Sequence, residues 1–428
     1  MSSSSGTRRS PWAWVPSLYF AEGIPYVLVI DVSVILYKRF GISNTDIALA
    51  TSLLYVPWMI KPFWSPLVDL AKTKRVWILT LQCAMGLGLL FVSIALHLSS
   101  FFTVTLILFW LVAFASATHD IAADGFYMLG LDHHDQTAYV GVRNTFYRGA
   151  WVAGRGGIVF LAGALELRFV GDVPQAWSLA FGVAALCLIG VFLFHTRALP
   201  RPETDRRSSG LARSDVFREI RDMVSLFFRR KGIISILAFL LLFRLAEAQL
   251  VKIVSPFMLD PRERGGLGLS TEEVGIAYGT FGVIALMLGG LLGGYAASRR
   301  GLKFWLWPMV AAIHIPDVVF VYLSHAQPTS FLVINGCIAL EQFGYGFGFT
   351  AYLLFMLMIS QGEHATVRYA ICTGFMAMGM LVPGLPSGAI QEWLGYKEFF
   401  IWIMISTIPG FIVPALVRID PRFGRKSS

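Results

Sequence analysis

The chain has 428 residues, is 56% hydrophobic and only 14% charged, and carries a formal net charge of +9 with a mean hydropathy of +0.65. A soluble domain of this length cannot hide so much apolar surface, which sets aside cytosolic enzymes and leaves an integral membrane protein. The positive charges lie between apolar runs and form no patch with stacking aromatics, so nucleic acid is not an expected partner.

Cys83, Cys187, Cys337 and Cys372 all fall inside apolar runs, with neither zinc-ligand spacing nor a disulfide pattern. They read as small buried hydrophobes, and no metal or cofactor is expected. Residues 1–12, opening MSSSSGTRRS, are expected to be a short cytoplasmic tail. They do not read as a signal peptide, because the apolar run that follows is long, contains Glu22 and lacks a small-residue cleavage site.

A bilayer core about 30 Å thick takes roughly 20 apolar residues per helix. Twelve segments qualify: 13–36, 46–68, 76–97, 101–129, 139–166, 176–196, 233–258, 273–298, 303–324, 329–360, 366–390 and 396–417. Even-numbered loops and the two tails carry roughly 24 of the 35 Lys and Arg, odd-numbered loops about six. Both termini are therefore expected on the cytoplasmic side. Ten of these cations lie in 197–231, the one long linker. From Ser214 onward it reads as an amphipathic basic helix, with Val216, Phe217, Ile220, Val224 and Phe227 on one side, lying on the inner membrane surface.

The two halves resemble each other. Gly41-Ile-Ser43-Asn-Thr-Asp46 opens the second span and Gly268-Leu-Ser270-Thr-Glu-Glu273 opens the eighth, each with a serine N-cap and an acid three residues on. Asp69, Lys72, Lys74 and Arg75 close the second span as Arg299, Arg300 and Lys303 close the eighth. Repetition at half the chain length predicts an all-α integral membrane protein with twelve transmembrane helices in two pseudo-symmetric six-helix bundles. The expected division is 13–196 and 232–418, joined by the linker 197–231 and followed by a cytoplasmic tail, 419–428.

Gly294-Tyr-Ala-Ala-Ser298-Arg299-Arg300-Gly301-Leu-Lys303 resembles the loop motif of the major facilitator superfamily, with Ser298 in place of the family's acid. Asp69 keeps that acid in the first half. Within the superfamily, Tyr19-Phe-Ala-Glu-Gly23-Ile-Pro25, Lys61-Pro-Phe-Trp64-Ser-Pro66-Leu-Val-Asp69 and His119-Asp120-Ile-Ala-Ala-Asp124-Gly are similar to AmpG-like permeases, a group that also holds acetyl-CoA transporters. His119 stands where that group usually has Gln. The resemblance implies two bundles rocking around a central cavity lined by helices 1, 4, 7 and 10. It also implies import of peptidoglycan fragments (anhydro-muropeptides) across a bacterial inner membrane. Siderophore import and acetyl-CoA or acyl-donor transport are the alternatives.

Charges inside spans are costly, at about 2.5–3.5 kcal/mol each on insertion scales, and therefore informative. Glu22 lies in span 1, Asp120 and Asp124 in span 4, Arg244 and Glu247 in span 7, and Glu341 in span 10. Those are the helices the resembled fold keeps wet. Glu22, beside Gly23 and Pro25, together with Asp120, Glu247 and Glu341, is a candidate for proton coupling. Arg148, Arg155 and Arg244, with Tyr26 and Tyr147, are candidates for binding an anionic or amphipathic small molecule. Arg148 and Arg155, seven apart, would share one helix face.

Asp124 could pair with Arg143 or Arg148 as an inner gate. Asp69, Lys72, Arg299 and Arg300 complete the gating set. His119 should point away from Asp120. Arg244 and Glu247 could satisfy each other, His314 and Asp317 read as a kinked structural pair around Pro316, and Asp31 and Lys252 could snorkel. Trp12, Trp14, Tyr19, Tyr26, Tyr37 and Trp58 read mostly as interfacial belts. Gly344, Gly346 and Gly348 read as close helix packing.

No G-x-x-x-x-G-K-[ST] loop occurs, so an ion gradient should supply the energy. A membrane-embedded acyltransferase built on His119-Asp120 or His133-His134-Asp135 is the rival class. It lacks a nucleophile with a positioned base, and 132–136 reads as a solvated loop. The expected protein is a monomeric proton-coupled transporter in a lipid bilayer, not an enzyme.

Overall fold

The computed structural model describes residues 10–131, 133–202, 205, 225–361, 365–421 and 423, and the regular elements among them are helical. Among the described residues, eleven helices are long and apolar enough to cross a membrane. The first, α1, is Pro11–Arg39 and widens into a π-helical turn at Leu28–Val32, just beyond Pro25. The segment expected at 46–68, α2, is two helices, Asn44–Leu53 and Val56–Ala71. The break falls there because Pro57 has no N–H to return to the Leu53 carbonyl.

Then come α3 (Lys74–Ala95), α4 (Phe101–Gly130), α5 (His133–Trp151, continuing through Val152–Ile158 and Val159–Arg168) and α6 (Val173–Ala198). The later helices are α7 (Ile233–Leu259), α8 (Thr271–Arg300), α9 (Leu302–Ala326), α10 (Phe331–Ser360), α11 (Arg368–Leu394) and α12 (Tyr396–Leu416).

The repeated helix starts form as the residues dictate. Ser43 Oγ accepts the Asp46 N–H at 3.0 Å, and its hydroxyl donates to Asp46 Oδ2 at 2.7 Å. Ser270 accepts the Glu273 N–H at 3.1 Å while Glu273 accepts the Ser270 N–H at 2.8 Å, a complete capping box. At the start of α3, Asp205 of the linker accepts the backbone N–H groups of Lys74 and Arg75 at 2.7 and 3.0 Å. A carboxylate there meets orphan donors and the positive end of the helix. Of the amphipathic stretch from Ser214, residues 214–224 lie outside the described residues; 225–228 are helical, and Phe227 is buried in the same apolar cluster as Phe239.

Two local readings are corrected. The stretch after α4 is helical from His133, not a solvated loop. The Gln136 amide donates to the Met128 and Leu131 carbonyls at 3.0 and 2.9 Å, satisfying acceptors that the end of α4 leaves open. The π-helical segment Val152–Ile158 begins after Arg148 and contains Arg155, so the seven-residue spacing no longer aligns them as it would on an α-helix.

Packing gathers the chain into two compact units. The first comprises Met1–Val29, Phe63–Gly154 and Leu165–Leu211; the second comprises Ile30–Pro62, Arg155–Ala164 and Ala212–Ser428. The first has a core around Trp14, Leu18, Tyr19, Phe126 and Tyr127. The second centres on Phe239, Phe243, Tyr352 and Phe355, and the Tyr352 hydroxyl donates to the Leu240 carbonyl at 2.7 Å. Trp14, Tyr19 and Tyr37 are buried core residues and not the interfacial belt expected of them; Trp12 is exposed. Leu111, Leu186 and Leu291 are among many large apolar side chains facing outward, a surface that suits lipid and not water.

Candidate functional site

In the first unit, α1 and α4 meet in antiparallel register. Tyr19 and Glu22 are one turn apart on α1, and Asp120 and Asp124 one turn apart on α4. The Tyr19 hydroxyl donates to Asp124 Oδ1 at 3.1 Å, and the Glu22 and Asp120 carboxyls stand within side-chain hydrogen-bonding reach of each other. Carboxylates are acceptors only, so a bond between the two requires that one of them carry a proton. Glu22 is buried, and its Oε2 has no hydrogen-bond partner.

Arg143 of α5 sets one Nη 2.9 Å from Asp124 Oδ1, so of the two expected partners Asp124 takes Arg143. The same guanidinium stands 4.5 Å from the Tyr19 ring centroid and 5.6 Å from that of Tyr127. Gly23 makes the approach of α1 to α5 possible: a Cβ there would lie 2.7 Å from Ala150 Cβ and 2.9 Å from the Tyr147 carbonyl. The Trp151 ring, on the turn after Tyr147, lies 5.8 Å from that of Tyr26. Arg148 is half-buried in this unit and Lys72 is exposed. The side chain of Asp69 lies outside the described residues, as do those of His133 and His134.

His119 is engaged by Gln82 and joins a buried chain that sequence reasoning missed. Gln82 Nε2 lies 3.1 Å from His119 Nε2, Gln82 Oε1 lies 2.9 Å from His195 Nδ1, and Ser17 Oγ lies 2.9 Å from His195 Nε2. The signal was lone polar residues in apolar helices, at 82 and 195, but their partners lie far off in sequence.

In the second unit, Arg155 lies 3.8 Å from Asp31 and 3.5 Å from the Tyr278 ring centroid. Asp31 and Lys252 do not snorkel. Both are buried, and Lys252 Nζ donates to Thr51 Oγ1 at 3.0 Å. Arg244 does not simply neutralise Glu247. It donates to the Tyr345 hydroxyl and stands 4.6 Å from the Phe349 ring centroid, because α7 breaks between Leu242 and Leu245 and turns the guanidinium toward α10.

Glu247 faces Asp317 and Glu341 instead, with ligand oxygens of all three within 4.8 Å of one another. Asp317 is therefore not a structural partner of His314: neither oxygen of Asp317 and neither ring nitrogen of His314 has a hydrogen-bond partner. The kink itself is present, as a 3-10 turn at Ile315–Asp317. The glycines of α10 pack as expected; a Cβ on Gly346 would fall 2.0 Å from the Leu286 carbonyl. Arg299 donates to the Tyr295 hydroxyl at 2.6 Å, and Arg300 stands 4.8 Å from the Phe304 ring centroid, both exposed at the end of α8.

The sequence model of the Major Facilitator Superfamily matches residues 17–367. The chain belongs to the major facilitator superfamily. A protein of Rickettsia conorii provisionally named transporter AmpG 4 is 26% identical over 413 residues, covering 92% of this chain and 94% of that one. The anhydromuropeptide permease of Escherichia coli is 24% identical over 416 residues, covering 94% of this chain and 78% of that one. Two solved structures share the fold. A nucleoside transporter, NupG, has a TM-score of 0.69 at 13% identity, covering 95% of this chain and 98% of that one; a D-xylose-proton symporter has 0.72 at 10%, covering 95% and 98%. The chain is thus a multi-pass membrane protein of a transporter superfamily, and its AmpG-like resemblance extends over most of its length. Within this facilitator fold the acids anticipated from sequence sit on α1, α4, α7 and α10, and in the second unit Asp317 of α9 joins Glu247 and Glu341.

Proposed function

We propose that this facilitator is a secondary active transporter of the bacterial inner membrane that imports anhydro-muropeptides together with protons by alternating access. The observation that carries the reading is the Glu22–Asp120 contact, two carboxyls on different membrane helices close enough to share a proton. Loading and losing that proton changes the charge of the pair by one, and such a change biases which arrangement of α1 and α4 is favoured.

Asp124, Arg143 and Tyr19 act beside it as a gate that opens when the salt bridge parts; Asp69, Lys72, Arg299 and Arg300 belong to the loops that flank such gates. Arg148, Arg155 and Arg244, with Tyr26 and Tyr147, supply cations and aromatic faces to a large anionic solute. Arg244 now rests on Tyr345, a neutral partner that an anionic ligand can replace at low cost, while Arg155 stands over Tyr278 and 3.8 Å from Asp31. The sequence halves 13–196 and 232–418 are the moving bundles, both termini are cytoplasmic, and a monomer suffices. The engagement of His119 with Gln82 argues against its use by an acyltransferase.

The test is uptake of labelled anhydro-muropeptide into liposomes holding the pure protein, with an inward proton gradient and with unlabelled ferric siderophore or acetyl-CoA as competitor. Gradient-driven accumulation that neither competitor blocks is expected. No accumulation by folded, correctly inserted protein overturns the substrate assignment.

A further inference from the structure

We propose that Glu247, Asp317, Glu341 and Gln342 form a binding site for one sodium ion. This goes beyond the proton-coupled reading and moves Glu247 and Glu341 out of the proton-coupling set. Three carboxylates from α7, α9 and α10 converge with ligand oxygens inside 4.8 Å, and all three residues are buried. Shared protons alone can hold an acidic cluster together, so the cluster does not by itself require a cation. The independent observation is Gln342. It is 2% exposed, its Nε2 donates to Glu341 Oε2 at 2.9 Å, and its Oε1, held beside that carboxylate, accepts nothing. Asp317 likewise leaves both oxygens unpartnered, as does Glu247 with Oε2. A carboxamide oxygen and several carboxylate oxygens without donors make a set of acceptors, the requirement for a hard cation.

Charge selects the ion. Carboxylate oxygens that all lie within 4.8 Å of one another can share one small hard cation. Among the described residues of this unit, the buried membrane charges are Asp31, Glu247, Asp317 and Glu341 against Arg155, Arg244 and Lys252; Asp260 is matched by Lys38 at 2.6 Å. With the four carboxylates ionised and Lys252 protonated, one negative charge is left over, which a monovalent ion neutralises and a divalent ion overshoots. Arg155 and Arg244 act electrostatically on Glu247, and Arg155 also on Glu341, while Asp31 opposes them at Glu247.

The backbone suits the same task. Glu247 follows the break in α7 and Asp317 sits in the 3-10 turn of α9. Interrupted membrane helices free backbone carbonyls and are where small cations are coordinated in other transporter folds.

The experiment is thermal unfolding of the full-length protein in detergent across a sodium chloride series. Ionic strength is held constant with N-methylglucamine chloride and pH is fixed. A saturable rise of several degrees with sodium is expected, with no rise in N-methylglucamine. Asp317→Asn and Glu341→Gln, each shown folded by circular dichroism, should lose the response. Radioactive sodium should bind one ion per chain. A sodium response no larger than that of N-methylglucamine, or one that survives in both variants, overturns the site. A saturable response to calcium in place of sodium overturns the monovalent assignment. The readout is binding, not transport, so a failure here is distinct from a failure of the muropeptide reading.

Discussion

Asp124 and Arg143 are joined at 2.9 Å on neighbouring helices of one unit, with side chains 39% and 30% exposed. Partial exposure weakens the pair relative to a fully buried one, yet the Tyr19 hydroxyl and the Tyr19 and Tyr127 rings hold the guanidinium and carboxylate in place. The interaction is therefore strong enough to fix a conformation and weak enough to be broken.

A double-mutant cycle measures that strength. Asp124→Asn, Arg143→Gln and the double variant, compared by thermal unfolding, should give a coupling of about 1 kcal/mol, between exposed and buried ion pairs. A coupling indistinguishable from zero removes the gate from the account.

Helix packing in the second unit gives a sharper contrast. Gly346→Ala puts a Cβ against the Leu286 carbonyl and should cost roughly 1–3 kcal/mol of stability. Gly336→Ala, on the same helix but with nothing within 4 Å of its Cβ, should change stability by less than about 1 kcal/mol. Equal effects would show that α8 and α10 do not pack as described.

Gln82→Ala leaves His119 and His195 without their shared partner in a buried setting. A loss of about 1–3 kcal/mol is expected, the cost of leaving buried polar groups unsatisfied. Because neither histidine is assigned a role in transport, uptake per folded molecule should stay near wild type. A selective loss of uptake with stability intact would instead make the chain Ser17–His195–Gln82–His119 part of the proton route.

What could be read from sequence followed from local physics. Span placement follows from hydropathy, and the paired starts at Ser43 and Ser270 follow from capping chemistry; both formed where expected except that the segment 46–68 is two helices. Asp120 and Asp124 were legible as a pair because four residues is one helical turn. Partner identity was not legible where it is set by register between helices. Nothing in the sequence ties Tyr19 to Asp124, Gln82 to two histidines, or Asp317 to Glu247 and Glu341. Asp317 was misread because His314 is its neighbour in sequence, whereas the turn at Pro316 separates the two and leaves neither bonded to the other. Lys252 was misread because snorkelling assumes a path to water, and its route ends at Thr51.

The central claim is that the proton held between Glu22 and Asp120 is coupled to solute movement. The most direct measurement compares wild type with Glu22→Gln, which fixes the pair in a state that mimics the protonated acid, in liposomes with labelled anhydro-muropeptide. The account predicts that the variant loses accumulation driven by an inward proton gradient while still exchanging labelled for unlabelled solute when no gradient is present. Gradient-driven accumulation at the wild-type level in Glu22→Gln and in Asp120→Asn would contradict it.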